Sequence, residues 1–199
     1  MKDTWNTVTA LSTGQYKEKG SRFISYLYPV GNEEEIKELL TRIRKEHHAA
    51  RHHCYAWRLG EEEIRSRAND DGEPSSTAGK PILGQLISHD LTHVLLVVVR
   101  YFGGTLLGVS GLINAYREAA ADAIRNAVIE TRNIEHRFQI RCSYNELNAV
   151  MQIIRNENYT LRESDLTEKC RILFSVRRSE VTRAEALFGP LNGVTFARL

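Results

Sequence analysis

The chain has 199 residues, 42% of them hydrophobic and 26% charged, with 13 Gly, 4 Pro and a formal net charge of +2 at pH 7. That balance is enough to bury a sizeable core, and it excludes disorder, collagen-like repeats and a strongly basic nucleic-acid tail. The longest apolar run, Val94 to Val99, is too short for a bilayer and the first residues carry no hydrophobic signal region, so a cytoplasmic protein with no membrane partner is expected.

From Arg22 to Val30, Phe23 and Leu27 alternate with Ile24, Tyr26 and Tyr28, which predicts a strand buried on much of both faces. A helix should open at Asn32, with Glu33, Glu34 and Glu35 in its first turn and Ile36, Leu39, Leu40 and Ile43 on one face, ending near His48. Cys54 to Leu59 reads as a central strand, and Ile64 to Ala68 as its partner across the turn at Glu61 to Glu63. After an irregular loop, Pro81 suits the first turn of a short helix running to Ser88. Val94 to Val99 predicts a strand covered on both sides, and Ser110 an N-cap for a long helix with Leu112, Ile113, Tyr116, Ala120, Ala123, Ile124 and Ala127 on its apolar face.

Residues 1–130 hold 16 cations against 17 anions, whereas residues 131–199 hold 11 against 8, with ten of the eleven being arginine. Two domains are therefore expected, 1–130 and 131–199, the first α+β. In the second, Phe138, Ile140 and Cys142 alternate with polar neighbours, and Ser143-x-x-Glu146 is a capping box before a helix. Tyr159 to Glu163 and Cys170 to Val176 predict a hairpin around Leu166 and Thr167; Ser179 should cap a short helix stopped by Gly189-Pro190, and Val194 to Ala197 ends the set. The order βαββαβ is ferredoxin-like. Such a sheet has helices on one face only, and its first and third strands would project Arg137, Arg141, Arg171 and Arg177 from the open one.

Three constellations bear on chemistry. Asp70, Asp71 and Glu73 lie within four residues and are able to ligate Mg²⁺, to divide acid and base roles, or to build turns by binding their own amides. The amides of Ser76, Thr77, Ala78 and Gly79, beside Lys80, offer a phosphate cradle, though the spacing is neither Walker A nor GxGxxG. Gly79 and Pro81 deny Thr77 and Lys80 the helix that a hydroxyl-lysine nucleophile needs. Arg100, Tyr101, Phe102, Gly103 and Gly104 end the most apolar strand, where an arginine and two aromatic rings are suited to a phosphate and a base, or the rings to plugging the core. His47, His48, His52, His53 and Cys54 are metal-capable, but they straddle a helix end and a strand start and should diverge. Three cysteines without a CxxC pair point to reduced thiols, and no cofactor or metal is expected.

The segments 70–81 (DDGEPSSTAGKP), 97–104 (VVVRYFGG) and 107–112 (LGVSGL), with Ala115-Tyr116 and the upstream 50–54 (ARHHC), resemble the signature of the IMPACT family in its bacterial branch. The resemblance implies an N-terminal domain similar to ribosomal protein S5 domain 2 and a C-terminal domain similar to the last domain of elongation factor G. Ser76 stands where the family more often has glycine, which argues against a left-handed backbone there. The implied function is a non-enzymatic regulator or binding protein linked to translation that contacts RNA or a ribosome-associated protein. The alternative is a binder of a phosphorylated small ligand, or an enzyme, using the Asp70–Lys80 and Arg100–Gly111 loops.

Overall fold

Alternation in one strand and an unbroken apolar run in another build the middle of a sheet covered on both faces. In the computed structural model, which describes residues 2–166 and 169–199, these are β3 (Ser21–Pro29) and β6 (Val94–Tyr101). The chain is a mixed α+β protein that divides into two units, Trp5–Arg132 and Asn133–Leu199, the latter with the residues up to Thr4. Among the described residues, no helix is long and apolar enough to cross a membrane.

The first unit adds β1 (Thr4–Val8), β2 (Ser12–Glu18), β4 (His52–Leu59), β5 (Arg65–Asn69) and β7 (Ile129–Asn133). Its antiparallel sheet runs β2-β3-β6-β4-β5, and β1 pairs with β7 separately. Helix α1 (Glu33–Glu46) starts where expected: the Asn32 side chain accepts from the Glu35 amide at 2.9 Å, and three glutamates sit at the positive end of the dipole. It buries Ile36, Leu40 and Ile43 against Tyr55, Trp57, Leu95, Val97 and Val99. The opposite sheet face packs Phe23, Leu27, Cys54, Leu96 and Val98 against α2 (Gly79–Ser88) and α3 (Gly108–Arg125). Ser110 does not cap α3, which begins two residues earlier with Leu107 at its N-cap and no side-chain cap.

The second unit runs β8 (Glu135–Cys142), α4 (Tyr144–Asn156), β9 (Thr160–Asp165), β10 (Cys170–Arg177), α5 (Val181–Phe188) and β11 (Thr195–Arg198). Its antiparallel sheet has the order β11-β8-β10-β9, so β8 and β10 are central neighbours. Phe138, Ile140, Ile172 and Phe174 face the core with Leu147, Val150 and Ile154 of α4 and Ala184 and Phe188 of α5. Ser143 and Glu146 form the expected capping box. Ser179 does not cap α5: it lies in a 3-10 turn, and its hydroxyl donates to Asp3 at 2.8 Å. Of the expected hairpin turn, Thr167 lies outside the described residues.

Candidate functional site

The loop between β5 and α2 is organised by one carboxylate. Asp70 Oδ1 accepts from the amides of Ala78 (3.0 Å) and Gly79 (2.8 Å), and Oδ2 from that of Ser76 (2.9 Å). Burial would raise the pKa of this carboxyl, but the three amides and nearby Lys80 outweigh it and hold Asp70 below the ordinary carboxylate range. Of the amides expected to cradle a phosphate, those of Ser76, Ala78 and Gly79 are thus occupied by the loop's own acid, and that of Thr77 donates to the Pro74 carbonyl. Thr77 donates its hydroxyl to the Pro74 carbonyl at 2.6 Å, and Lys80 is exposed. Ser76 has φ +67°, so the position does adopt the left-handed backbone that its side chain argues against.

The other two acids go elsewhere. Asp71 pairs with Arg44 at 3.1 Å and accepts from the His53 amide at 2.7 Å. Glu73, its side chain 3% exposed, accepts from Arg100 Nη1 at 2.6 Å and from the Tyr116 hydroxyl at 2.8 Å. Among the described residues no group of three or more acidic, histidine or cysteine side chains is placed to hold a metal ion. Of the readings open for the three acids, turn-building on the loop's own amides is what Asp70 does, while Asp71 and Glu73 go to other partners. Behind Glu73, the Cys54 thiol lies 3.3 Å from the Tyr116 oxygen and 3.0 Å from the Asp70 carbonyl. Burial pushes both Cys54 and Tyr116 well above their ordinary ranges, so neither ionises near neutrality.

Strand parity separates two residues that the sequence reading joins. Arg100 points to the α2/α3 side of β6, whereas Tyr101 points to the α1 side, where its hydroxyl bonds His47 Nδ1 at 2.8 Å. The Tyr26 hydroxyl holds the other ring nitrogen of His47 at 2.7 Å. The histidines diverge: His52 Nδ1 donates to the Asp71 carbonyl (2.8 Å), and His53 Nε2 to the His47 carbonyl (3.1 Å). Phe102 stays with Arg100, its ring 5.6 Å from that guanidinium and 5.9 Å from that of Arg51. Gly103 lets the loop press on the β2–β3 turn, since a Cβ there would lie 1.9 Å from the Gly20 carbonyl carbon. Gly104 has φ +86°.

These placements leave a cleft of about 370 Å³, lined by Arg51, His52, Glu73, Arg100, Phe102 and the start of α3 at Gly108 and Val109. Of the expected ligand residues, Glu73, Arg100 and Phe102 reach it. Asp70, Asp71, Ser76, Thr77, Gly79, Lys80, Tyr101, Gly103 and Gly104 are not among its lining: Asp70, Ser76, Thr77 and Gly79 hold the loop together, Asp71 is bound to Arg44 and the His53 amide, Lys80 faces solvent, Tyr101 lies on the other sheet face and Gly103 packs on the β2–β3 turn. Arg51 and His52 are contributors that the sequence reading missed, whereas the α3 start at Gly108 and Val109 falls within the Arg100–Gly111 loop that it names. Their signal is Arg51-His52 immediately before a strand edge, opposite Arg100 in register.

In the second unit, Arg141 lies directly opposite Arg171, Arg137 opposite Ser175, and Arg177 opposite Glu135. All four arginines project from the helix-free face, but its charge is mixed: Arg171 pairs with Glu163 at 2.7 Å, and Arg162 with Glu135 at 2.5 Å. Arg137 and Arg141 are exposed and have no ion pair among the described residues.

Fold and site together define a two-unit α+β protein whose first unit keeps a buried carboxylate-arginine pair beneath a small glycine-edged cleft. Residues 19–124, which contain that whole arrangement, match the Impact N-terminal domain. The chain is 35% identical over 160 residues to the IMPACT family member YvyE of Bacillus subtilis, covering 80% of this chain and 74% of that protein. It is 35% identical over 154 residues to the family member YigZ of Escherichia coli, covering 76% of each. A crystal structure of a hypothetical protein superposes with a TM-score of 0.72 at 30% identity, covering 100% of this chain and 98% of that one. The chain belongs to the IMPACT family.

Proposed function

We propose that the chain is a cytoplasmic, non-enzymatic binding protein linked to translation, and that it contacts structured RNA through the open sheet face of its second unit. The observation that carries this reading is the directly opposed pair Arg141 and Arg171 on the two central strands, with Arg137, which has no ion pair among the described residues, four residues along β8 on the same face. Like charges directly opposite each other destabilise a sheet; Glu163 offsets this at Arg171, and an anionic partner would offset it at Arg141. The face carries no stacking aromatic ring at Arg137, Gln139, Arg141, Arg171 or Leu173, so it favours backbone phosphates over base edges.

In this reading residues 131–199 are a ferredoxin-like domain akin to the last domain of elongation factor G. Residues 1–130 are a domain akin to ribosomal protein S5 domain 2. Both kinships point to the translation apparatus. The neutral, buried Cys54 and the fully engaged Glu73 support binding rather than nucleophilic or acid-base chemistry.

The test is fluorescence anisotropy with a labelled RNA hairpin across a salt series, for the native chain and for R141E/R171E. Native binding should weaken with salt, and the double reversal should cut low-salt affinity by roughly tenfold or more and lower the salt slope by about 2. Unchanged affinity and slope in a folded double variant overturns the reading. Nuclease-resistant capture of a ribosome-associated protein through the same arginines replaces RNA with a protein partner.

A further inference from the structure

We infer that the cleft of the first unit binds a phosphomonoester carried on a flat apolar body, the chemistry of a nucleoside 5′-phosphate, whether free or as the 5′ end of an RNA. The inference is independent of the arginine face, which belongs to the other unit.

Arg100 is 5% exposed and commits only Nη1 to Glu73. Its Nε is buried with no acceptor among the described residues. A buried donor left unpaired is costly, and because Arg100 lines the cleft, an anion bound there would offer its guanidinium an acceptor that the described residues do not. Arg51, exposed at the rim, has no ion pair among the described residues. With Glu73 neutralising one of the two arginines, one cation is left over before His52 is counted.

The start of α3 enters the same cleft. This 18-residue helix has no side-chain N-cap and no acidic residue in its first turn, so its leading amides at Gly108 and Val109 have no side-chain acceptor among the described residues. Guanidinium donors from β6 and the β4 edge, together with helix amides, approach from different elements. That set matches the three terminal oxygens of a phosphomonoester better than the two of a carboxylate.

An apolar body has its own surface. Phe102 is 41% exposed, Leu106 83% and Val109 59%, and all three line the cleft. A ring stacked on Phe102, already flanked by two guanidinium groups, buries apolar area that is otherwise wet. A cleft of about 370 Å³ suits one nucleotide.

The test is an amide NMR titration of the full chain with adenosine 5′-monophosphate, adenosine, inorganic phosphate, and a short oligoribonucleotide with or without a 5′ phosphate. The R141E/R171E background removes the sheet-face contribution. Adenosine 5′-monophosphate should shift the Gly108 and Val109 amides and saturate, and adenosine should bind at least tenfold more weakly. Arg51→Gln should weaken the nucleotide about tenfold. Phe102→Ala, at an exposed ring, should weaken the nucleotide but not inorganic phosphate. Tenfold tighter binding of the 5′-phosphorylated oligonucleotide than of the mononucleotide identifies an RNA end as the source, and equal or weaker binding a free nucleotide. Equal binding of adenosine and its monophosphate, shifts outside residues 51–52, 72–74 and 100–112, no response to any probe, or an Arg51→Gln variant that binds as the native chain does, overturns the inference.

Discussion

Arg100 Nη1 and Glu73 Oε1 meet at 2.6 Å with side chains only 7% and 3% exposed, making this a buried ion pair at the floor of the cleft. Taking one charge away leaves the other buried and unpaired. Glu73→Gln should therefore lower the unfolding free energy by about 3–5 kcal/mol, read from the urea midpoint. Replacing both partners with apolar residues, as in E73L/R100M, should cost less than the single change. A double variant less stable than Glu73→Gln would mean that the Tyr116 hydrogen bond to Glu73, rather than the charge pair, dominates.

Ser76 sits at φ +67° while its amide donates to Asp70. The left-handed region costs a side-chain-bearing residue about 1–2 kcal/mol, and glycine's greater freedom in the unfolded chain returns about 0.5–1 of that. Ser76→Gly should thus be neutral or stabilising by up to about 1.5 kcal/mol in thermal or urea unfolding, whereas most substitutions destabilise. A loss of more than 1 kcal/mol would show that the serine side chain contributes something the backbone geometry does not require.

What was legible in the sequence follows the physics of each element. Strands with apolar alternation and helices with a 3.6-residue stripe stand out because burial writes their period into residue type; β3, α1, β6 and the second unit are of this kind. Strand β2 is silent because two of its inward positions, Ser12 and Gly14, are small rather than apolar, which leaves Tyr16 alone to mark that face. A Cβ on Gly14 would lie 2.3 Å from the Ala123 amide nitrogen, and Ser12 donates to the Ala123 carbonyl at 2.8 Å, so β2 packs on α3 almost backbone to backbone. The Asp70 cap is hidden for another reason: its partners are main-chain amides, which carry no residue identity. The separation of Arg100 from Tyr101 was available from strand parity alone, whereas bringing Arg51 and His52 to the cleft required the β4–β6 register.

His47, its side chain 11% exposed, is held between the hydroxyls of Tyr26 and Tyr101. Burial lowers its pKa, His53 and Arg22 add to the effect, and Glu46 opposes it without reversing it. A histidine whose folded pKa lies below its unfolded value near 6.5 contributes stability that is complete above that value and is lost as pH falls through the folded one. The urea midpoint should therefore drop between pH 7.5 and 5. His47→Gln, which keeps one donor and one acceptor but does not titrate, should flatten that part of the profile. An identical acid slope in the variant would assign the effect to other groups.

Asp70 gives the opposite end of the pH range. Its carboxyl is held below the ordinary carboxylate range, so its contribution is complete above that range and disappears as pH falls through the lower folded value. Asparagine can keep one oxygen on the Ala78 and Gly79 amides, but it then turns an NH₂ toward the Ser76 amide, donor against donor. Losing a hydrogen bond to a charged acceptor costs about 1.5–3 kcal/mol, so Asp70→Asn should fall short of the native chain by that amount at pH 7. Below about pH 4 the gap should narrow, because the native carboxyl also takes up a proton and becomes a poorer acceptor. Urea midpoints measured for both chains from pH 7 down to 3 check this. A gap that stays constant on acidification would mean that the loop depends on the shape of the side chain and not on its charge.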